Sequence, residues 1–211
     1  YGDYSHDHIT GACYIVRSIL NSLGNVDSLA YWVFSDIFEE KGAGFGIFHG
    51  GFGLVTTNGI PKPTWHAYRF LNALGGELIG RSEEVFFTRR KDGKLSGIIW
   101  NYPEAEVPLA APVCRDPKEA IDVVNTGNVD IEISGFAPYA RFQVETLSRE
   151  YGDAAIAFYE MGSPLEPTRS EEEYLRNISR PAVHMWTADE NGVLRIKGTI
   201  PAWEIRLIQE L

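Results

Sequence analysis

The stretch LAYWVFSDIFEE, residues 29–40, decides how the first part of this chain is organised. Its first six residues are apolar without alternation, a pattern typical of a parallel strand that is covered on both faces. The acidic residues that follow then lie just beyond the carboxyl end of that strand. We therefore predict a buried strand over residues 29–34 that leads into a polar loop.

A helix is predicted before this strand. Over residues 9–23 the apolar side chains recur at the i, i+3, i+4, i+7 spacing of an amphipathic helix. Thr10 or Asp7 is the expected N-cap, and Gly24 is the expected terminating glycine.

A long glycine-rich loop and a second helix are predicted after the strand. The loop covers residues 42–59, and the second helix begins at the sequence PKPT, residues 61–64, and stops at Gly75 and Gly76. A helix, a buried strand, a long loop and a helix, in this order, are typical of a βα-barrel.

From about residue 82 the apolar residues alternate with a period of two, which predicts short antiparallel strands. One hairpin is indicated by Asp92-Gly93. The only predicted helix in this part covers residues 171–178. We therefore predict an α/β part, residues 1–80, followed by an all-β part, residues 81–211, that forms an antiparallel β-sandwich. The predicted strands cover residues 85–90, 95–101, 129–134, 141–147, 193–199 and 203–211.

Composition excludes several classes of function. The 211 residues carry a net charge of −10 without a basic run, so we predict no nucleic-acid partner. No apolar run approaches the roughly 18 residues of a membrane span, so no membrane partner is predicted. Cys13 and Cys114 form neither a disulfide framework nor a zinc cluster, and no ligand spacing predicts a metal or another cofactor. The chain starts at Tyr1 rather than at Met, which suggests that upstream sequence has been removed.

Three motifs resemble the family 39 glycoside hydrolases, which include β-xylosidases and α-L-iduronidases. They are YWVFSDIFEE at residues 31–40, FHGGFGL at 48–54 and IPKP at 60–63. The resemblance is close to end-to-end and is nearer to the bacterial β-xylosidases. It implies a (β/α)8 barrel followed by a β-sandwich, and retaining hydrolysis of xylo-oligosaccharides by two glutamates without a cofactor.

The resemblance also implies that the barrel is incomplete in this chain. The helix over residues 9–23 corresponds to the helix after the seventh strand, and residues 29–34 correspond to the eighth strand. Both catalytic glutamates are then expected upstream of Tyr1, so no catalytic residue is assigned here and the chain alone is expected to be inactive. We expect its first 80 residues to associate with the missing barrel portion, with a second copy in a homo-oligomer, or with the sandwich itself.

Five residues are predicted to bind substrate: Trp32, Asp36, Glu39, Glu40 and His49. Trp32 is either a platform for a sugar ring or a core aromatic residue. Asp36 has a site role or caps a turn, and His49 binds substrate or secures its loop. Glu39 and Glu40 accept hydrogen bonds from sugar hydroxyls or are solvated surface acids.

Two alternatives to the β-xylosidase interpretation stay open. An α-L-iduronidase-like enzyme binds an anionic sugar, which Glu39 and Glu40 disfavour. A noncatalytic sugar-binding module would use exposed aromatic residues such as Trp186 and Trp203. Trp100 is also a candidate, although its apolar neighbours favour a position in the core.

Overall fold

Helices and an antiparallel sheet make up the part of the chain that the computed structural model describes, which is residues 2–37, 44–103 and 125–211. A short 3-10 helix, Tyr4–Asp7, precedes the first α-helix. The helices are α1 Ile9–Ser22, α2 Pro63–Asn72, α3 Ala154–Glu160 and α4 Arg169–Ile178. The strands are β1 Glu77–Ser82, β2 Val85–Arg89, β3 Leu95–Asn101, β4 Thr126–Ser134, β5 Arg141–Leu147, β6 Ala182–Thr187, β7 Val193–Pro201 and β8 Glu204–Glu210.

Six of these strands form one antiparallel sheet in the order β1-β2-β3-β8-β5-β6, and β4 pairs with β7 in a separate two-stranded sheet. The predicted hairpin is confirmed: β2 and β3 pair with Val85 opposite Ile99, and the Arg90 N–H donates to the Lys94 carbonyl at 2.8 Å across the turn. The mixture of helices and antiparallel strands that the sequence predicts is therefore confirmed. The division at residue 80 and the barrel-plus-sandwich arrangement stay predictions.

The six-stranded sheet buries apolar side chains on both faces because successive residues of a strand point to opposite sides. On β3, Ile98 and Trp100 pack with α1 and α2 on one face, and Trp100 is only 2% exposed. Ile99 lies on the other face, where it packs in a cluster with Val129 of β4 and Ile196 of β7. The sheet is thus covered by helices on one side and by the β4–β7 ribbon on the other.

Helix α1 buries the apolar stripe that the sequence predicts, but its cap differs from the prediction. The N-cap is His8 rather than Thr10 or Asp7, and its own side chain makes no capping hydrogen bond. Instead, the carboxylate of Asp153 accepts the Ile9 N–H at 2.9 Å. Gly24, with a φ of 82°, follows the last turn as predicted.

The buried strand predicted over residues 29–34 is wrong. Leu29, Trp32 and Phe34 are 48, 58 and 63% exposed, and the first residue here with a strand-like bridge is Ser35, which is paired in parallel with Val55. A strand needs a neighbour on each side to be buried on both faces, and the backbone groups of Val33 and Phe34 bond to residues 52–55.

Candidate functional site

Side chains alternate along the segment that contains Trp32. Tyr31 points toward α2, where its ring centroid lies 6.1 Å from that of Tyr68. Trp32 and Phe34 are exposed, and the Phe34 ring also contacts Trp65 of α2, edge-on, with centroids 5.9 Å apart. Trp32 therefore lies at the surface of this chain rather than in its core.

The backbone of the Trp32 segment is tied to the end of the glycine-rich loop. The Val33 N–H donates to the Phe52 carbonyl at 3.0 Å, and the Leu54 N–H donates back to the Val33 carbonyl at 3.0 Å. Farther along, the Asp36 N–H donates to the Val55 carbonyl at 3.0 Å. The segments that contain Trp32 and His49 are thus held next to each other.

Asp36 belongs to a buried ionic network beneath this surface. Its Oδ2 lies 2.7 Å from Nζ of Lys62, and Asp7 Oδ1 lies 2.7 Å from the same nitrogen. The other oxygens accept backbone N–H groups at 2.6 Å, Asp36 from Gly53 and Asp7 from Gly50. Every carboxylate oxygen of this network is therefore engaged within the protein.

The charge of the network follows from its burial and its pairing. Burial alone would lower the pKa of Lys62, but Asp7 and Asp36 more than reverse that effect, so the pKa of the ammonium lies above its ordinary value. Burial raises the pKa of Asp36 above its ordinary value, against the opposing effect of Lys62. Lys62 is therefore charged, and its ammonium is the cation that pairs with both carboxylates.

His49 is buried in the middle of the loop, and its Nδ1 lies 3.2 Å from the Gly46 carbonyl. A side chain on Gly44 would collide with the imidazole, because a Cβ there would lie 2.0 Å from its Cδ2. These contacts agree with the second of the two predicted roles for His49, which is to secure the loop. Binding of substrate by His49 stays a prediction.

The structure places Trp32, Asp36 and His49 on two adjoining segments, while Glu39 and Glu40 lie outside the described residues. Cys114 also lies outside them. Substrate contacts by the five predicted residues stay a prediction.

Helices α3 and α4 pack against the glycine-rich loop. Phe158 of α3 lies in a cluster with Ile47 and Phe48 of the loop, and its ring centroid is 5.5 Å from that of Phe48. Just before α3, Asp153 contacts His8 Nδ1 with both carboxylate oxygens at 3.1 Å. Residues that are distant in sequence therefore help to hold both the loop and the start of α1.

Sequence reasoning missed Lys62 and Asp153. Lys62 is the N-cap of α2, where the helix dipole disfavours a cation. That unfavourable position is a signal that the ammonium is paired with acids elsewhere. Asp153 gives no comparable signal, because its partners His8 and Ile9 are about 145 residues away in the sequence.

Within the described ranges, His, Cys, Asp and Glu side chains form no group of three or more that would hold a metal ion. Over the same residues, none of the helices combines the length and apolar character of a membrane span.

Comparison with known proteins identifies the family of this chain. The sequence profile described as "Glycosyl hydrolases family 39" matches residues 2–194, and the chain belongs to this family. The resemblance inferred from the motifs is confirmed.

Two of the similar proteins are β-xylosidases. That of Geobacillus stearothermophilus is 34% identical over 204 residues, which is 97% of this chain and 38% of that protein. That of Caldicellulosiruptor saccharolyticus is 32% identical over 178 residues, 84% of this chain and 35% of that protein. This chain thus spans less than two fifths of the length of either relative.

Solved structures agree with the fold. A monomeric β-xylosidase from Caulobacter crescentus CB15 superposes with a TM-score of 0.79 at 27% identity, over 99% of this chain and 42% of that chain. A family 39 enzyme from Xanthomonas axonopodis pv. citri superposes with a TM-score of 0.82 at 24% identity, over 99% of this chain and 42% of that one. The second likeness concerns the fold alone.

Proposed function

We propose that this chain is the C-terminal part of a retaining glycoside hydrolase that releases non-reducing β-xylosyl residues from xylo-oligosaccharides. The observation that carries the proposal is the 34% identity to the Geobacillus β-xylosidase over 97% of this chain. The second β-xylosidase, from Caldicellulosiruptor, supports the same substrate class.

The proposal assigns the two catalytic glutamates to sequence outside these 211 residues. Retaining hydrolysis uses two carboxyl groups about 5–5.5 Å apart, one that attacks and one that protonates the leaving oxygen. Asp7 and Asp36 are buried acids that approach each other through Lys62, but all four of their oxygens are engaged by the ammonium or by backbone N–H groups. Neither is therefore available for this chemistry.

In this proposal the chain contributes one wall of the sugar subsite. Trp32 stacks on the sugar ring, and Glu39 and Glu40 accept hydrogen bonds from its hydroxyls. His49 and Asp36 complete the predicted set, and Asp36 acts from inside the protein because its oxygens are held by Lys62 and Gly53.

We also propose that residues 1–80 are the last βα units of a (β/α)8 barrel, in which residues 29–34 become a strand only beside the remaining barrel strands, and that residues 81–211 form a β-sandwich. The shared apolar cluster between the six-stranded sheet and the β4–β7 ribbon supports the sandwich. The exposed Trp32 and Phe34 support association of the first part with the remaining barrel portion or with a second copy.

A chimera tests the proposal directly. The segment of the Geobacillus β-xylosidase that matches this chain is replaced by residues 1–211, and hydrolysis of p-nitrophenyl β-D-xyloside is measured. We expect turnover by the chimera and none by the 211-residue chain alone. The Geobacillus protein without the matched segment is the control for activity that does not need this chain.

Two results would overturn the proposal. Substantial turnover by the 211-residue chain alone would place the catalytic pair within it. A folded chimera that is inactive on the xyloside would refute the β-xylosidase assignment.

A further inference from the structure

Lys62 is completely buried, with a relative exposure of 0%, and all three of its ammonium hydrogens have an acceptor within reach. The acceptors are Asp7 Oδ1 at 2.7 Å, Asp36 Oδ2 at 2.7 Å and the Gly51 carbonyl at 3.1 Å. A buried ammonium is costly unless it is paired and hydrogen-bonded. Full satisfaction from three separate segments indicates a specific role for this side chain.

The network holds the loop at three nearby points. Gly50 donates its N–H to Asp7, Gly51 accepts from Lys62, and Gly53 donates its N–H to Asp36. The fit is tight: a Cβ on Gly50 would lie 2.5 Å from the Asp3 nitrogen, and a Cβ on Gly53 would lie 2.3 Å from the Asp36 nitrogen. Hydrogen bonds therefore link the loop directly to Asp7, Asp36 and Lys62.

We propose that Lys62 is a positioning residue of the candidate sugar site, which sets the segment of Trp32 relative to the loop of His49. It acts through Asp36, which ends the Trp32 segment, and through Gly51, which follows His49 by two residues. This inference rests on the proposed function and adds to it a residue that does not touch the sugar.

Removing Lys62 alone leaves two buried carboxylates without their cation. The test must therefore separate the effect of the lost charge from the effect of the lost bridge. Lys62→Met combined with Asp36→Asn keeps the net charge of the network at its original value while it removes the bridge. Lys197→Met is the matched control, because it removes a lysine from an ion pair with Asp130 in which both side chains are more than 70% exposed.

The first measurement uses the 211-residue chain labelled with 5-fluorotryptophan, which gives one ¹⁹F resonance for each of its five tryptophans. Trp32→Phe assigns the resonance of Trp32. In the double variant we expect this resonance to shift or broaden, while those of the core residues Trp100 and Trp203 stay in place. An unchanged Trp32 resonance in a folded double variant would overturn the inference.

The second measurement is kinetic and uses the chimera. We expect the double variant to raise KM for p-nitrophenyl β-D-xyloside by on the order of tenfold, with a smaller change in kcat per folded enzyme. A merely structural role would reduce the folded fraction and leave KM unchanged, and that result would overturn the inference. An inactive unsubstituted chimera would instead refute the proposed function, and the Trp32 resonance would then decide the role of Lys62.

The third measurement needs no variant and therefore does not depend on how the substituted chains fold. The amide hydrogens of Gly50 and Gly53 are expected to exchange slowly with solvent, because each is held by a buried carboxylate. Exchange as fast as that of the exposed turn at Gly93 would overturn the inference.

Discussion

Asp153 and His8 are both completely buried and form an ion pair, with the Asp153 carboxylate oxygens 3.1 Å from Nδ1 of His8. The same carboxylate accepts the Ile9 N–H at 2.9 Å and so caps α1 in place of a side chain from the helix itself. One acid thus serves a cation and a helix N-terminus together.

Replacing Asp153 is expected to destabilise the fold strongly. Asp153→Ala leaves His8 and the Ile9 N–H without their acceptor, and we expect the free energy of unfolding in urea to fall by about 3–5 kcal/mol. Asp153→Asn keeps an oxygen for Ile9 and is expected to lose less. Asp130→Asn, which alters the exposed pair with Lys197, is the control that should leave stability unchanged. A loss for Asp153→Ala no larger than that of the control would contradict the buried ion pair.

The His8 pair predicts a loss of stability at alkaline pH. Burial alone would lower the pKa of His8, but Asp153 more than reverses that effect and raises the pKa above 6.5. The folded state therefore binds the proton more tightly than the unfolded state. The stabilisation is complete below pH 6.5 and is lost as the pH rises through the raised pKa. Urea unfolding from pH 5 to pH 9 should show this decrease in the free energy of unfolding for the unsubstituted chain and not for His8→Gln.

His66 predicts the opposite slope at acid pH. Burial, helped by the nearby Arg69, lowers its pKa from 6.5 to about 4, and its Nε2 lies 2.7 Å from the Ser179 carbonyl. Between these two values the unfolded state binds the proton and the folded state does not, so stability falls as the pH drops.

The loss at His66 amounts to up to about 3 kcal/mol, given about 1.4 kcal/mol for each unit of pKa. His66→Gln keeps a donor for the Ser179 carbonyl without a titrating ring. The difference in stability between the two chains should change between pH 6.5 and pH 4. A constant difference over this range would show that His66 does not titrate there.

Adjacent glycines after α2 are expected to differ sharply in their tolerance of alanine. A Cβ on Gly75 would lie 1.9 Å from the carbonyl oxygen of Arg89, whereas a Cβ on Gly76 meets nothing within 4 Å. The backbone must move to accommodate Gly75→Ala. We therefore expect thermal unfolding to show a free energy of unfolding that is lower by about 1–3 kcal/mol. Gly76→Ala should be neutral or slightly stabilising. Equal effects of the two substitutions would contradict this close approach of α2's end to β2.

The spacing of apolar residues in the sequence predicted the helices and strands that bury one or both faces in the core. The bounds of β3 and β5 match the prediction, and β8 places Ile205 and Leu207 on one side of the sheet and Ile208 on the other. The edge strands β1 and β6 were not predicted. Most of their side chains are exposed, so burial imposes no regular pattern of apolar and polar residues on these strands. All six residues of β1 are exposed, and so are Val183 and Met185 of β6.

The candidate site was only partly predictable, because its interior depends on contacts between distant residues. The aromatic and acidic residues after position 31 stand out as a motif. Lys62 and Asp7 lie 55 positions apart, and nothing local shows that their charges meet inside the protein. The strand over residues 29–34 failed as a prediction because apolar residues indicate burial only where a partner is present to bury them.

Helix α1 has a consequence for how such chains can recombine in evolution. Its stripe, including Ile9 and Val16, shares one core with Trp100 of β3 and Leu207 of β8. A crossover between related genes that separated this helix from those strands would join surfaces that had not been selected together. Inheritance of the helix and the sheet as one block is therefore favoured, and grafts between relatives are best made outside it.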